Sequence, residues 1–149
     1  MKKIFCVTGT PGSGKTTFAK KLAKKYHLHY VDFNQLLKQK KLYDSYDRSL
    51  RTFEYDEKII KKALIMLIRD STRHNMGLVI DSHLSHYTSP RSVDVCYVVT
   101  CDPSFLKRRL QKRHYSKRKI RENLDAEILS ICLIEAIENG HKIRMIKGF

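Results

Sequence analysis

The chain has 149 residues, 42% hydrophobic and 30% charged, which suits one soluble globular domain rather than a fibre or a disordered segment. Thirty Lys and Arg against fifteen Asp and Glu leave a formal charge of +15. That excess favours a polyanionic partner (nucleic acid, an anionic surface or a phosphate-bearing substrate), unless it only reflects a generally basic proteome.

Residues 3–8 (KIFCVT) read as a short buried strand running into the glycine-rich stretch 9–14. Residues 15–26 repeat apolar positions at Phe18, Ala19, Leu22 and Ala23 with lysines opposite, which predicts an amphipathic helix. A second strand is expected over 29–32 and a short helix over 33–41. Residues 42–56 (LYDSYDRSLRTFEYD) are polar and aromatic without a period and read as a functional loop. A helix over 57–73 and strands over 77–81 and 93–100 follow. Asp102-Pro103 opens a helix with a cap and a first-turn proline, reaching about residue 113. A break over 115–119 precedes one long helix over 120–139, stopped by Gly140, and a last short strand over 142–146. Strands alternating with helices, with apolar rather than alternating strands, give an α/β fold: a parallel sheet covered on both faces with right-handed crossovers.

The apolar run over 93–100 carries Asp94 and falls well short of the ~20 residues of a membrane span. The N-terminal residues do not have the form of a signal peptide. Cys6, Cys96, Cys101 and Cys132 form no Cys-x-x-Cys pair and no zinc spacing. Three lie in apolar stretches, where reduced thiols are expected, and a cytoplasmic location follows.

Gly9-Thr10-Pro11-Gly12-Ser13-Gly14-Lys15-Thr16 fits G-x-x-x-x-G-K-[ST] between a strand and a helix, the context the motif requires. Glycines let backbone N–H groups curl around phosphate oxygens, and the helix N-terminus adds its positive end. Lys15 is expected to reach the β- and γ-phosphates, Thr16 to ligate Mg²⁺ and Thr17 to meet the α-phosphate. Asp81, ending the strand Val79-Ile80-Asp81, is the candidate for the Mg²⁺ shell. His83, two residues on, would point the same way in extended backbone and could orient water, hold a phosphate or shuttle a proton, or be a solvent-exposed loop histidine. His86 is read as the latter. Residues 107–121 hold nine Lys or Arg and no acid. They are read as a lid closing over phosphates, as an RNA contact, or as a solvated face. Arg109 and Arg113, four apart, are the arginines chosen to stabilise a transferring phosphoryl group. Asp44 and Asp47 read an acceptor or cap turns.

GTPGSGKTT, LYDSYD, VIDSH and RLQKRHYSKRKIRENLDAEI, in that order and at these separations, resemble the adenylate kinase isoenzyme 6 family, the atypical nucleoside monophosphate kinases also called coilin-interacting nuclear ATPases. The likeness extends to about Ala136. It implies a single P-loop kinase domain over 1–149 with a five-stranded parallel sheet in the order 2-3-1-4-5. It also implies an NMP-binding segment at about 31–54 and a lid at about 112–122. Carried over by position, Gly12, Gly14, Lys15, Thr16, Thr17 and Arg113 would bind ATP, Lys147 would lie near the adenine, and Asp81 and His83 would be the pair associated with ATP hydrolysis. The resemblance further implies AMP as acceptor, Mg²⁺ as cofactor, ATPase activity beside the kinase activity, and a small-subunit ribosomal protein with rRNA as partners in ribosome maturation. Lys38 stands where the family's NMP helix has an arginine, and His114 where a glycine follows the lid arginine. These residues suit an adenylate kinase, a ribosome-assembly ATPase, or a basic RNA-binding module with a vestigial nucleotide site, each monomeric by default.

Overall fold

A computed structural model describes residues 2–148. Its elements are β1 (Ile4–Thr8), α1 (Lys15–Tyr26), β2 (His29–Asp32), α2 (Phe33–Gln39), β3 (Ser45–Asp47), β4 (Thr52–Glu54), α3 (Glu57–Arg73), β5 (Leu78–Asp81), β6 (Val95–Thr100), α4 (Pro103–Lys112), α5 (Lys117–Ile128), α6 (Ile131–Glu138) and β7 (Ile143–Lys147). Five strands form one parallel sheet in the order β2-β5-β1-β6-β7. With the β3–β4 hairpin set aside, that is the expected order 2-3-1-4-5.

The apolar strands are explained by cover on both faces. Successive side chains of β1 alternate: Ile4 and Cys6 join Leu78, Ile80, Cys96 and Val98 under Phe33, Leu37, Ile60, Leu64 and Ala136 of α2, α3 and α6. Phe5 and Val7 join Val79, Tyr97 and Val99 under Ala19, Leu22 and Ala23 of α1. A third cluster, Leu106, Leu110 and Ile120 with Cys101, ties α4 to α5 beside the glycine-rich loop. Leu106 and Leu110 are fully buried, and each contributes on the order of 2 kcal/mol of transfer free energy.

Local chemistry sets the helix starts. Asp32, Asp56, Asp102 and Ser116 each accept a first-turn backbone N–H, the last from Lys119 at 3.1 Å. Gly140, at φ +86°, follows the end of α6 as expected. α5 carries Lys117, Arg118 and Lys119 in its first turn with no acid among them.

Three expectations are corrected. Residues 42–56 are not an irregular loop. They hold the β3–β4 hairpin, with Tyr46 opposite Phe53, and Phe53 packs against Tyr43 and Tyr46 at ring distances of 4.7 and 4.9 Å. The single long helix over 120–139 is two helices. Ser130 adopts φ +54°, which ends the hydrogen-bond ladder and lets α5 pack on α4 while α6 delivers Ala136 to the sheet. The break before α5 lies at 113–116, because Ser116 caps a helix that starts at Lys117.

Candidate active site

The glycine-rich loop lies between the end of β1 and the start of α1. Gly12 and Gly14 have φ of +89° and +99°, the left-handed region that glycine tolerates. A Cβ on Gly12 would stand 3.1 Å from both Leu106 and Leu110, and one on Gly9 would meet the Val99 carbonyl oxygen at 2.5 Å. No side chain caps α1 at Gly14, so the first-turn N–H groups remain available to an anion. The buried Ser13 Oγ has no hydrogen-bond partner among the described residues.

A cavity of about 910 Å³ opens over this loop. It brings together Gly12, Gly14, Lys15, Thr16, Thr17, Asp81, His83, Arg109 and Arg113, and it reaches Lys38, Tyr46 and Phe53 on the hairpin side. Lys147 is not in its lining. That lysine is exposed at the end of β7, where its charge acts on Asp102. Neither Asp44 nor Asp47 lines the cavity. Asp47 Oδ1 accepts from the backbone N–H groups of Ser49 and Leu50 at 2.9 and 3.1 Å, which is turn capping.

Burial chiefly lowers the Lys15 pKa, and the neighbouring Asp81 charge opposes that shift. Asp81 is 4% exposed, and its Oδ2 accepts from Thr16 Oγ1 at 2.8 Å and from the Tyr30 hydroxyl at 2.6 Å. The Tyr30 phenol is pushed up by its own burial and then by Asp81. No group of three or more His, Cys, Asp or Glu that could hold a metal occurs among the described residues. One carboxylate beside one hydroxyl at the phosphate loop fits Mg²⁺, which takes few protein oxygens and completes its shell with water and phosphate.

Burial pushes His83 down to about 3, and the charges of Lys15, His86 and Lys38 act in the same direction, so the ring is neutral. Its Nδ1 faces Asn34 Nδ2 at 3.2 Å. Ser82 Oγ bonds Asn34 Oδ1 and accepts the Leu84 N–H at 3.0 Å. His86 is not the solvent-exposed histidine expected: it is 1% exposed. It donates from Nε2 to Glu135 Oε2 at 2.6 Å, and its Nδ1 meets Thr8 Oγ1 at 2.8 Å. Burial lowers its pKa while Glu135 opposes.

Arg109 Nη1 donates to the Gly12 carbonyl at 3.0 Å and lies 3.6 Å from Cys101 Sγ. This guanidinium therefore holds the loop itself. Arg113 forms the C-terminal cap of α4 at the cavity wall, its backbone N–H on the Arg109 carbonyl at 3.2 Å. Across the mouth, Arg118 Nη1 donates to Ser49 Oγ at 3.2 Å and Lys119 Nζ to the Arg51 carbonyl at 3.3 Å, so the expected lid segment touches the β3–β4 turn.

Tyr30, Asn34, Ser82, Cys132 and Glu135 also line the cavity or bond its residues, and sequence reasoning passed over all of them. Tyr30 lay within reach of inference, since it sits on the strand paired with β5. Ser82 lies inside the VIDSH stretch without being singled out by it, and no motif marks Asn34, Cys132 or Glu135.

A parallel sheet in this order, with the phosphate loop after its central strand and a strand-end aspartate beside it, defines a kinase-like P-loop NTPase. Solved structures agree on the fold: shikimate kinase from Bacteroides thetaiotaomicron matches 95% of this chain and 84% of its own, at a TM-score of 0.58 and 14% identity. Residues 5–130 match the family model described as an AAA domain. A Methanocaldococcus jannaschii protein named "Putative adenylate kinase" is 35% identical over 130 residues, which span 87% of this chain and 70% of that one. A Dictyostelium discoideum protein named adenylate kinase isoenzyme 6 homolog is 32% identical over 146 residues, 97% of this chain and 79% of that one. The chain belongs to the adenylate kinase isoenzyme 6 family. No helix among the described residues is long and apolar enough to cross a membrane.

Proposed function

We propose that the protein is a nucleoside monophosphate kinase that moves the γ-phosphoryl group of Mg-ATP to AMP, and that it hydrolyses ATP as an accompanying activity. The observation that carries this reading is the contact of Thr16 and Asp81 at the phosphate loop, in a cavity that continues to the hairpin. The backbone N–H groups of Gly12 and of residues 14–17, with the Lys15 ammonium, hold the donor phosphates. Thr16 and Asp81 hold Mg²⁺, which neutralises charge on the phosphate oxygens when bound. Tyr30 orients the Asp81 carboxylate. Arg109 fixes the loop through the Gly12 carbonyl, and Arg113 meets the charge that develops on the transferring group. Lys38, Tyr46 and Phe53 line the acceptor side. Catalysis then rests on positioning and electrostatics, with no covalent intermediate on the protein. In hydrolysis His83 stands beside the same phosphates and orients the reacting water.

A second reading has hydrolysis as the main event, driving release from a ribosomal protein and rRNA. The exposed basic residues of the lid, with the overall charge of +15, favour it. A cytoplasmic monomer suits both readings. Turnover of Mg-ATP with and without AMP, with ATP, ADP and AMP separated by chromatography, tests the proposal. Two ADP per AMP consumed, far faster than phosphate release from ATP alone, is expected. Phosphate release indifferent to AMP would refute the kinase reading in favour of the second.

A further inference from the structure

We infer that Asn34 is a positioning residue that fixes His83 in one tautomer, with the proton on Nε2, so that His83 meets phosphate or water as a hydrogen-bond donor rather than as a proton-accepting base. The inference deepens the proposed ATP site and rests on that reading for its functional half; the tautomer itself does not.

The chain of contacts gives the assignment. α2 begins directly after β2, and its Phe33 and Leu37 are fully buried. That anchoring fixes the backbone that carries Asn34. Ser82 is 2% exposed at the end of β5, and the Leu84 N–H takes one lone pair of its oxygen. The Ser82 hydroxyl donates its own proton to the Asn34 atom beside it, Oδ1, the acceptor. With Oδ1 engaged, the amide nitrogen is the atom that faces His83 Nδ1 at 3.2 Å. An amide nitrogen only donates, so His83 Nδ1 must offer its lone pair. The remaining proton of a neutral imidazole then sits on Nε2.

The chemical consequence is specific. A donor at Nε2 stabilises negative charge on a phosphoryl oxygen, or holds a water through the water's oxygen. It takes no proton, so the reacting water loses its proton elsewhere, to the phosphate itself or to solvent. In the reverse tautomer the same ring would present a basic Nε2. Asn34 therefore selects between two chemistries of one side chain without touching the reacting atoms.

The test reads the tautomer directly. Long-range ¹H–¹⁵N correlation spectra of uniformly ¹⁵N-labelled full-length protein are recorded at neutral pH, with the His83 signals assigned by their loss in His83→Gln. Nδ1 at the shift of an unprotonated imidazole nitrogen and Nε2 at that of a protonated one are expected; the opposite pattern overturns the inference. Asn34→Asp places an acceptor against Nδ1 and should move the proton there. It should also lower kcat for phosphate release on the order of tenfold, while KM for ATP holds. Retention of the Nε2–H pattern in that variant, or full kcat with the proton moved, overturns the inference as well. Ser82→Ala gives an independent reading, since it frees Oδ1 and lets the amide turn. A single unchanged His83 tautomer there also counts against it. If the wild-type enzyme releases no phosphate, the proposed hydrolysis fails while the spectra still decide the tautomer.

Discussion

Arg109→Ala separates two uses of an arginine beside a phosphate loop. From the sequence, Arg109 is a group that reaches for the transferring phosphoryl. In the structure its Nη1 lies 3.0 Å from the Gly12 carbonyl, a charge-assisted bond to the backbone of the loop. Hydrogen bonds to charged groups contribute about 1.5–3 kcal/mol. Arg109 is only partly buried, so solvent screening places the loss at the lower end, about 1.5 kcal/mol. With a urea m-value of about 2 kcal/mol/M, the unfolding midpoint should fall by roughly 0.7 M. Gly12 would then lose the bond that ties its carbonyl to α4, and the loop N–H groups would lose preorganisation for phosphate. KM for ATP should rise about tenfold, the equivalent of about 1.4 kcal/mol, with a smaller loss in kcat. Urea titration by circular dichroism and steady-state kinetics read both numbers. Arg113→Ala, which removes a side chain that forms no hydrogen bond among the described residues, should show the reverse balance of kcat loss without a midpoint shift. An Arg109→Ala protein with an unchanged midpoint and a pure kcat defect would refute the loop-holding account.

Lys15→Met should cut ATP turnover by at least about 100-fold and also raise the urea midpoint, because burial disfavours the ammonium that the substitution removes; a fall in the midpoint would show that pairing with Asp81 outweighs desolvation. His83, neutral in the fold with a pKa near 3 against 6.5 unfolded, contributes stability in full above pH 6.5 that is lost as the pH falls from there toward 3, since the unfolded chain takes up a proton that the folded chain refuses. Wild-type protein should therefore lose about 2 kcal/mol in all relative to His83→Gln between pH 6.5 and 4.5, with the slope approaching about 1.4 kcal/mol per pH unit below pH 5.5, and parallel stability curves would contradict the burial. Ser130→Gly relieves a left-handed residue at the α5–α6 corner and should gain about 1 kcal/mol, or about 2–4 °C in Tm by calorimetry. A lower Tm would mean that the corner is not strained.

The parts of this fold that are legible in the sequence are those whose signal is local. The 3.6-residue spacing of Phe18, Ala19, Leu22 and Ala23 places α1, the Asp102-Pro103 pair starts α4, and the apolar strands imply cover on both faces. The β3–β4 hairpin escaped because strands of three residues carry too few alternations to show a period. The α5–α6 corner escaped because its left-handed residue is Ser130, with neither glycine nor proline to mark it. In the site, the phosphate loop and Asp81 are contiguous motifs and can be read directly. Asn34 and Ser82 meet across 48 positions, and His86 and Glu135 across 49. A short polar side chain gives no sign of such a partner until the sheet has brought the strand ends together.

The opening turn of α5 bears on how the cavity mouth behaves when it is empty or full. A helix start is the positive pole of its dipole, yet Lys117, Arg118 and Lys119 sit there with no acid in the turn itself, and Glu122 of the next turn pairs with Arg118 alone, at 3.4 Å. Like charges are stacked against a like pole, at a cost of about 0.3–1 kcal/mol for each cation at low ionic strength. The bonds to Ser49 and Arg51 hold the turn against that repulsion. An anion entering the cavity beneath it meets Lys119, the cation of this turn that lines the cavity, and offsets the repulsion between that charge and the helix pole. The segment is thus electrostatically loaded: fraying is favoured in dilute salt without polyphosphate, and order is favoured when negative charge arrives.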